Sequence, residues 1–234
     1  MRHIPLCIMF LLQHTLLHAQ KNDRLSFTAQ SYKMFMKENT PIFNGSEYTL
    51  PGLDIEGSPF FIFNTLQPGT IVYDDVWYAN VPLQWELVGD FVLTEDMNKS
   101  YLIKLNPDKI SKFTIGEQVF IRSANPENPE KTIGFYQVLS TGKITLLAKR
   151  IKTILDRTTP EKNFRAYQEF VRYYIVKEDR SWIRVRGIGD LMRAYPNQQA
   201  EFKKWLDANP IRFNKEPEKL LLQWATYFKL SNPI

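Results

Sequence analysis

The sequence predicts an α+β protein, with a curved antiparallel β-sheet or partly open β-barrel followed by a C-terminal helical subdomain. Between residues 58 and 186, short apolar runs are separated by turn residues such as Pro68-Gly69, Asp74-Asp75 and Gly89-Asp90, which is typical of antiparallel strands. After Gly187, apolar residues recur at helical spacing. Because strands and helices fall in separate blocks, a doubly wound nucleotide-binding fold is disfavoured.

The predicted strands all lie in the block from 58 to 186. They are Ser58–Phe63, Thr70–Tyr73, Val76–Ala79, Val81–Val88, Phe91–Thr94, Tyr101–Leu105, Ile133–Leu139, Ile144–Ala148, Phe170–Val176 and Trp182–Arg186. Gly142 suits a hairpin turn because glycine accepts a positive φ, and Lys177–Arg180 suits a second turn. With its apolar and polar residues alternating, the segment Val81–Val88 reads as a half-buried strand.

The helical subdomain covers residues 187–234. We expect a short helix from Gly189 to Tyr195, a second helix capped by Asn197 and running to about Asp207, and a last helix with Pro217 in its first turn. In the last helix Leu220, Leu221, Trp224 and Tyr227 or Phe228 form one apolar stripe that should lie on the sheet.

The first nineteen residues have the three-part pattern of a secretory signal peptide. Arg2 precedes an apolar run from Ile4 to Leu12, and Ala19 is the small residue expected at a cleavage site. The run of about nine residues is far shorter than the roughly 20 that span a membrane. We therefore expect a signal peptide over 1–19 and no transmembrane segment after cleavage; a buried N-terminal helix is the alternative. Residues 20–57 form a lead-in segment to the β-rich domain.

Every histidine and the only cysteine lie in this leader. They are His3, Cys7, His14 and His18. Without these residues a chain has no Ser-His-Asp or Cys-His centre, no zinc site with nitrogen and sulfur ligands and no axial haem ligand. We expect no metal and no cofactor in the mature protein. A cysteine-free exported chain favours the periplasm or exterior of a Gram-negative bacterium.

Several short motifs give the chain a resemblance to a known group of proteins. The motifs are Gly57-Ser58-Pro59-Phe60, Gly69 with Val72-Tyr73, Val81-Pro82-Leu83-Gln84-Trp85-Glu86, Phe135-Tyr136-Gln137-Val138-Leu139 with Gly142, and the C-terminal Tyr227-Phe228. With them the chain resembles uncharacterised secreted proteins of Bacteroidetes-type bacteria. The resemblance implies export from a Gram-negative cell, and it implies no reaction, cofactor or catalytic residue.

Two groups of residues are candidate ligand contacts. Trp77 and Tyr78 can stack on a sugar ring, although aromatic residues of this kind also fill β cores. Arg184 shares a strand face with Trp182, and Arg186 continues that face, which suits an anionic partner such as lipopolysaccharide or a membrane surface. The alternative is a solvated basic face. A second basic cluster is Lys149-Arg150-Ile151-Lys152. Nucleic acid is not an expected partner of an exported protein with a formal net charge of only +5.

Carboxylates leave one catalytic class open. Two acids in one cleft suffice for glycoside hydrolysis, and the candidates by type are Asp74, Asp75, Glu86, Asp90, Glu95 and Asp96. However, Asp74-Asp75 and Glu95–Asn98 occupy predicted turns, where acidic residues bond to the local backbone. Calcium ligation by Asp96 and Asn98 is a weaker alternative, because the standard glycine and distal glutamate are missing.

Three function hypotheses follow from these observations. The first is an exported, non-enzymatic interaction or envelope-associated module that binds a protein or an apolar or anionic envelope ligand. The second is a carrier whose cavity holds an apolar ligand, with a phenylalanine lining of Phe60, Phe61, Phe63, Phe91 and Phe120. The third is the carboxylate-dependent hydrolase.

Overall fold

The computed structural model describes residues 41–52, 54–228 and 230–233. The predicted signal peptide, and the lead-in segment as far as residue 40, lie outside the described residues. The chain divides into two compact units, Met1–Asn44 and Gly45–Ile234. In the first unit the described part is a short 3-10 turn at Pro41–Phe43.

The second unit contains thirteen strands and four helices within its described residues. The strands are β1 (Ser46–Glu47), β2 (Ile55–Glu56), β3 (Gln67–Tyr73), β4 (Val76–Glu86), β5 (Phe91–Glu95), β6 (Leu102–Lys104), β7 (Ile110–Ile115), β8 (Gln118–Ser123), β9 (Gly134–Gly142), β10 (Ile144–Thr158), β11 (Asn163–Lys177), β12 (Trp182–Val185) and β13 (Ser231–Pro233). The helices are α1 (Pro129–Thr132), α2 (Ile188–Ala194), α3 (Gln199–Ala208) and α4 (Pro217–Tyr227).

The strands form one sheet that curves without closing. Their order is β1-β6-β5-β4-β3-β7-β8-β9-β10-β11-β12, with β13 added to β9 and β2 added to β11. The β2–β11 pair is parallel. The curvature of the sheet brings β10 back towards the end of β4. There the backbone N–H of Lys152 donates a hydrogen bond to the backbone carbonyl of Leu87 (3.0 Å). The predicted α+β class with a curved, open sheet and C-terminal helices is confirmed.

Strand β4 shows how the sheet changes direction. Its first part pairs with β3 and its last residues pair with β5. We predicted two strands, Val76–Ala79 and Val81–Val88, but the structure has one strand running through Asn80 despite its positive φ of 54°. The predicted strand Ser58–Phe63 is wrong, because only Phe60 forms a bridge, to Glu86.

The hairpin of β10 and β11 is the longest element of the sheet. Each strand has fifteen residues, and they pair from Ile144↔Lys177 to Thr158↔Asn163. We predicted only the end near the helices, Ile144–Ala148 and Phe170–Val176. The missed part carries many charged residues, so it lacks a long apolar run. Strands β7 and β8 were also missed.

The C-terminal helices agree with prediction except at one cap. Helix α4 begins at Pro217 and buries Leu220, Leu221 and Trp224, as the apolar stripe predicted. Asn197 is not the cap of α3: it lies in a 3-10 turn at Pro196–Gln198, and the helix follows without a side-chain cap. No helix within the described residues is long and apolar enough to cross a bilayer.

Two apolar cores lie on one face of the sheet, which we call the inner face. In the first core the Phe113 and Phe120 rings stack with centroids 4.7 Å apart. In the second, Leu146 and Ile175 contact the helices around Trp224. On the opposite, outer face a smaller cluster is formed by Tyr136, Val138, Leu147 and Tyr174.

Candidate functional site

A polar cleft separates the two cores on the inner face. Three residues of β9 share this face because strand side chains alternate. Phe135 joins the aromatic core, with its ring centroid 5.3 Å from that of Phe113, and Leu139 contacts the helix-covered core. Between them Gln137 is 5% exposed. The cleft therefore opens where the apolar filling of the sheet is interrupted.

Arg150 of β10 is the centre of the cleft. Its Nε donates to Gln137 Oε1 (2.6 Å), its Nη2 to Glu218 Oε1 (2.8 Å) and its Nη1 to Glu169 Oε1 (3.3 Å). The guanidinium also lies over the Phe61 ring, 5.3 Å from the centroid. The Arg150 side chain thus joins β9, β11, α4 and the segment before β3. Such charge-assisted bonds fix orientation as well as adding stability.

Glu218 links the last helix to the sheet. Its Oε1 also accepts a hydrogen bond from the Tyr173 hydroxyl (3.0 Å). Burial raises the pKa of Tyr173, and the neighbouring Glu218 carboxylate raises it further. Both effects keep the phenol protonated, so it remains a donor to the carboxylate.

Lys152 lies two residues further along the same face of β10. Its ammonium donates to the backbone carbonyls of Phe60 (2.6 Å) and Ser58 (2.9 Å). Burial lowers the pKa of Lys152, and Glu169 and Glu86 oppose that shift. Lys152 is also directly opposite Glu169 in the β10–β11 register. The ammonium therefore holds the loop before β3 against the sheet.

The rim of the cleft is under backbone strain at Ile62. This β-branched residue has a positive φ of 53° and is 65% exposed. It lies in a three-residue turn in which the Phe63 N–H donates to the Phe61 carbonyl (2.6 Å). The turn is held on both sides, since Phe61 N–H donates to Trp85 O and Gln84 Nε2 donates to Phe63 O. Strain of this kind persists only where neighbours impose it, and it is concentrated at functional sites.

The cleft has room for a small molecule, and the residues that line it have polar atoms without a hydrogen bond in the described part of the chain. Its volume is about 450 Å³. Arginine has five N–H donors and lysine three, and in the described residues two N–H groups of Arg150 and one of Lys152 have no hydrogen bond. The Oε2 atoms of Glu169 and Glu218 are likewise without a hydrogen bond in this part of the chain. Donors and acceptors are thus both present.

The side chains of the cleft do not form a typical metal site. Among the described residues no cluster of three or more histidine, cysteine or carboxylate side chains has the spacing for a cation. In the cleft, the guanidinium of Arg150 lies between Glu169 and Glu218. Its positive charge occupies the position from which a cation would bridge them.

Trp77 and Tyr78, the first pair of predicted ligand contacts, lie on opposite faces of the sheet. Trp77 is 64% exposed and lies opposite Val72 on the outer face. Tyr78 points to the other face, opposite Ile71, and burial raises its pKa. Neither residue lines the Arg150 cleft.

The second group of predicted ligand contacts, Trp182, Arg184 and Arg186, lies on or just beyond β12, the last strand in the order of the sheet. Trp182 contacts the rings of Tyr136 (5.2 Å) and Tyr174 (5.5 Å) on the outer face. Arg184 lies directly opposite Tyr174 and is exposed. Arg186 is exposed just beyond the end of β12, and its N–H donates to Asp190 Oδ2 (2.7 Å). Trp77, Trp182 and Arg184 therefore share the outer face.

The acids proposed for hydrolysis are engaged in local structure. Asp96 accepts the N–H groups of Asn98, Ser100 and Tyr101, which lower its pKa. Asp74, in the β3–β4 turn, bonds Lys109 (2.8 Å), and Asp75 completes that turn with a φ of 61°. Glu95 ends β5.

The remaining two candidates, Glu86 and Asp90, flank one turn. Glu86 accepts the N–H groups of Val88 and Gly89, and burial raises its pKa. Asp90 accepts from Trp85 Nε1, Phe135 N and Lys149 Nζ. These hydrogen bonds hold the β4–β5 turn against β9 and β10.

The phenylalanines proposed for a carrier cavity do not share one environment. Phe61 and Phe120 are buried and contact each other edge to face (5.2 Å). Phe60 is 8% and Phe63 45% exposed. Phe91 lies beneath the Lys104 ammonium (5.3 Å).

The residues that build the cleft were mostly missed from sequence. Arg150 and Lys152 belong to a basic cluster that we noted, but Gln137, Glu169 and Glu218 carried no signal. Arg150 and Glu218 are 68 positions apart. Strand side chains alternate between the two faces of a sheet, and this places Arg150 and Lys152 on one face and Lys149 on the other. That alternation within 149–152 is the sequence pattern from which part of the cleft could have been predicted.

Comparison with known proteins identified no relative: no family model, curated protein or solved structure matches the chain. The resemblance to secreted bacterial proteins gains no support from these comparisons. The residues of the cleft therefore carry the functional argument.

Proposed function

We propose that this protein is a non-catalytic binding module that takes a small polar ligand in the Arg150 cleft. One observation carries the proposal: side chains from β9, β11 and α4 converge on one guanidinium of β10. The same residues line a cleft of about 450 Å³, and they have donors and acceptors without a hydrogen bond in the described part of the chain. Small-molecule sites are concave, are mostly preformed and have a few convergent polar groups.

Binding is favoured over catalysis by the arrangement of the two cleft carboxylates. Glycoside hydrolysis needs two acids on opposite sides of the scissile bond. Glu169 and Glu218 both accept a hydrogen bond from Arg150, at 3.3 Å and 2.8 Å. The guanidinium therefore lies between the two carboxylates, where the scissile bond would have to lie.

The charges of the cleft indicate the ligand chemistry. Arg150 and Lys152 balance Glu169 and Glu218, so the site favours a ligand without net charge. The available N–H donors suit a carboxylate or a hydroxyl oxygen, and the available carboxylate oxygens suit an ammonium or a hydroxyl hydrogen. Free amino acids, dipeptides and small saccharides have these groups.

The proposed setting is the periplasm or the exterior of a Gram-negative cell. It is supported by the signal-peptide pattern of residues 1–19 and by the confinement of cysteine to that segment. In that setting the ligand is an extracellular or envelope molecule, which agrees with an envelope-associated module.

A thermal-shift screen tests the proposed function. The full chain is screened against free amino acids, dipeptides, monosaccharides and disaccharides. A compound at 100 times its Kd should stabilise the protein by about 2.7 kcal/mol. Glu169→Gln should abolish that stabilisation, because it removes one charged acceptor from the cleft. The Glu169 side chain is 38% exposed.

Glu178→Gln is the matched control for the screen. Glu178 is an exposed acid in the β11–β12 turn, away from the cleft, and its variant should retain the full ligand shift. If no compound stabilises the wild-type chain, or if Glu169→Gln keeps the shift, the proposed site is wrong.

A further inference from the structure

On strands β7 to β12 the outer face of the sheet combines cations with exposed apolar side chains and has no acidic residue. Strands β7 to β12 contain two acidic residues, Asp156 and Glu169. Both are on the inner face by alternation, since Asp156 shares the side of Arg150, and Glu169 bonds that arginine. The absence of acids therefore belongs to the outer face of these six strands. On the neighbouring β2, Glu56 lies beside Ala166 and forms an ion pair with Lys162.

The cations of this face are spread over four strands. Pairing places five of them on the outer side: Lys112, Lys149, Arg157, Arg172 and Arg184. Lys149 is neutralised by Asp90 at 2.5 Å. In the described part of the chain the other four make no ion pair, and Arg172 and Arg184 make no side-chain hydrogen bond either. Their charge is available to a partner.

Apolar side chains lie between these cations on the long hairpin. Phe170 is 47% exposed and lies opposite Ile151. Leu155 is 37% exposed and lies four residues beyond Ile151 on the same face of β10, further from the helices. Arg172 lies on one side of them and Arg157 on the other. At about 3.3 Å per residue, the stripe from Lys149 to Arg157 is about 26 Å long.

We propose that the outer face of the β10–β11 hairpin, together with Arg184 of β12, docks on an anionic lipid membrane. A lipid surface matches both properties, because its headgroups attract cations and its interface accepts phenylalanine and leucine side chains. Leu155 and Ile151 contribute nothing to base stacking, which is the main apolar contact of single-stranded nucleic acid. The face opposite the helices thus becomes the membrane side, and the Arg150 cleft stays on the inner side.

Vesicle co-sedimentation of the full chain tests this proposal. The probes are vesicles of phosphatidylcholine alone and vesicles in which part of it is replaced by phosphatidylglycerol. We expect binding only to the second kind, and weaker binding at high salt. The double variant Arg172→Gln/Arg184→Gln should bind about 25-fold more weakly, since each cation near the surface contributes about fivefold. Phe170→Ser should weaken binding without changing the salt dependence.

The matched control is Lys203→Gln/Lys204→Gln, which removes the same charge from exposed positions on α3. It should bind vesicles as the wild type does. An equal loss in this control would show non-specific charge attraction and overturn the proposal, as would wild-type binding that ignores phosphatidylglycerol. Tighter binding to a single-stranded oligonucleotide than to the vesicles would overturn the lipid assignment. The charge variants should unfold at the wild-type temperature, because the substituted arginine and lysine side chains are exposed.

Discussion

Replacing Arg150 with methionine removes the guanidinium that joins the last helix to the sheet, while keeping an unbranched side chain over Phe61. The variant loses two strong hydrogen bonds, to Gln137 Oε1 and Glu218 Oε1, and the longer contact with Glu169. Hydrogen bonds to charged groups contribute about 1.5–3 kcal/mol each. Two of them set an upper limit of about 6 kcal/mol for the loss.

Solvent reduces this figure. The Arg150 side chain is 13% exposed, but those of Glu169 and Glu218 are 38% and 34% exposed. Water therefore replaces part of the lost interaction, and we expect destabilisation of about 2–3 kcal/mol. For a chain of this length the melting temperature should fall by about 5–10 °C. Urea unfolding followed by circular dichroism measures the free energy directly.

The control for this variant is Arg157→Met. Arg157 lies on the same strand but is exposed, and within the described residues its side chain makes one hydrogen bond, to Gln168 Oε1. Its replacement should cost less than about 0.5 kcal/mol. A double-mutant cycle of Arg150→Met with Glu218→Gln should give a coupling energy of about 1–2 kcal/mol. A loss no greater than that of Arg157→Met, or a coupling energy near zero, would refute the role given to Arg150.

Three further predictions concern other positions. Ile62→Gly should stabilise the chain by up to about 1 kcal/mol in urea unfolding, because glycine accepts the positive φ; destabilisation would contradict the strain at the rim. Wild type should be more stable than Asp96→Asn, and the whole difference should be present above the ordinary carboxyl pKa of 3.8. The difference should disappear as the pH falls through the lowered pKa of Asp96 in the folded protein. Acid titration of both proteins measures it, and a difference that stays constant with pH would contradict the prediction. Tyr195→Phe should leave stability unchanged or raise it by up to about 1 kcal/mol, since its buried hydroxyl has no partner in the described residues and burial raises its pKa to about 12; calorimetry decides, and a clear loss would indicate a missed partner.

Local patterns were sufficient where a residue's role depends on its near neighbours. The turn at Asp74-Asp75, the start of α4 at Pro217 and the alternation of Trp182 with Ile183 were all predictable, because they follow from φ preferences and strand periodicity. The length of the strands was less predictable. The parts of β10 and β11 far from the helices carry many charged residues, so the sequence shows no apolar run there. Only the pairing of the two strands shows that β10 continues to Thr158.

The sequence by itself determined the block order of strands and helices and the confinement of histidine and cysteine to the first eighteen residues. Only the tertiary structure decided that Arg150 meets Glu218 and that Lys152 lies opposite Glu169. It also decided that Trp77 and Arg184, on distant strands, share one face. The physical reason is that strand register and sheet order depend on contacts between residues far apart in the chain. A charged side chain shows its type locally, but its partner depends on the whole fold.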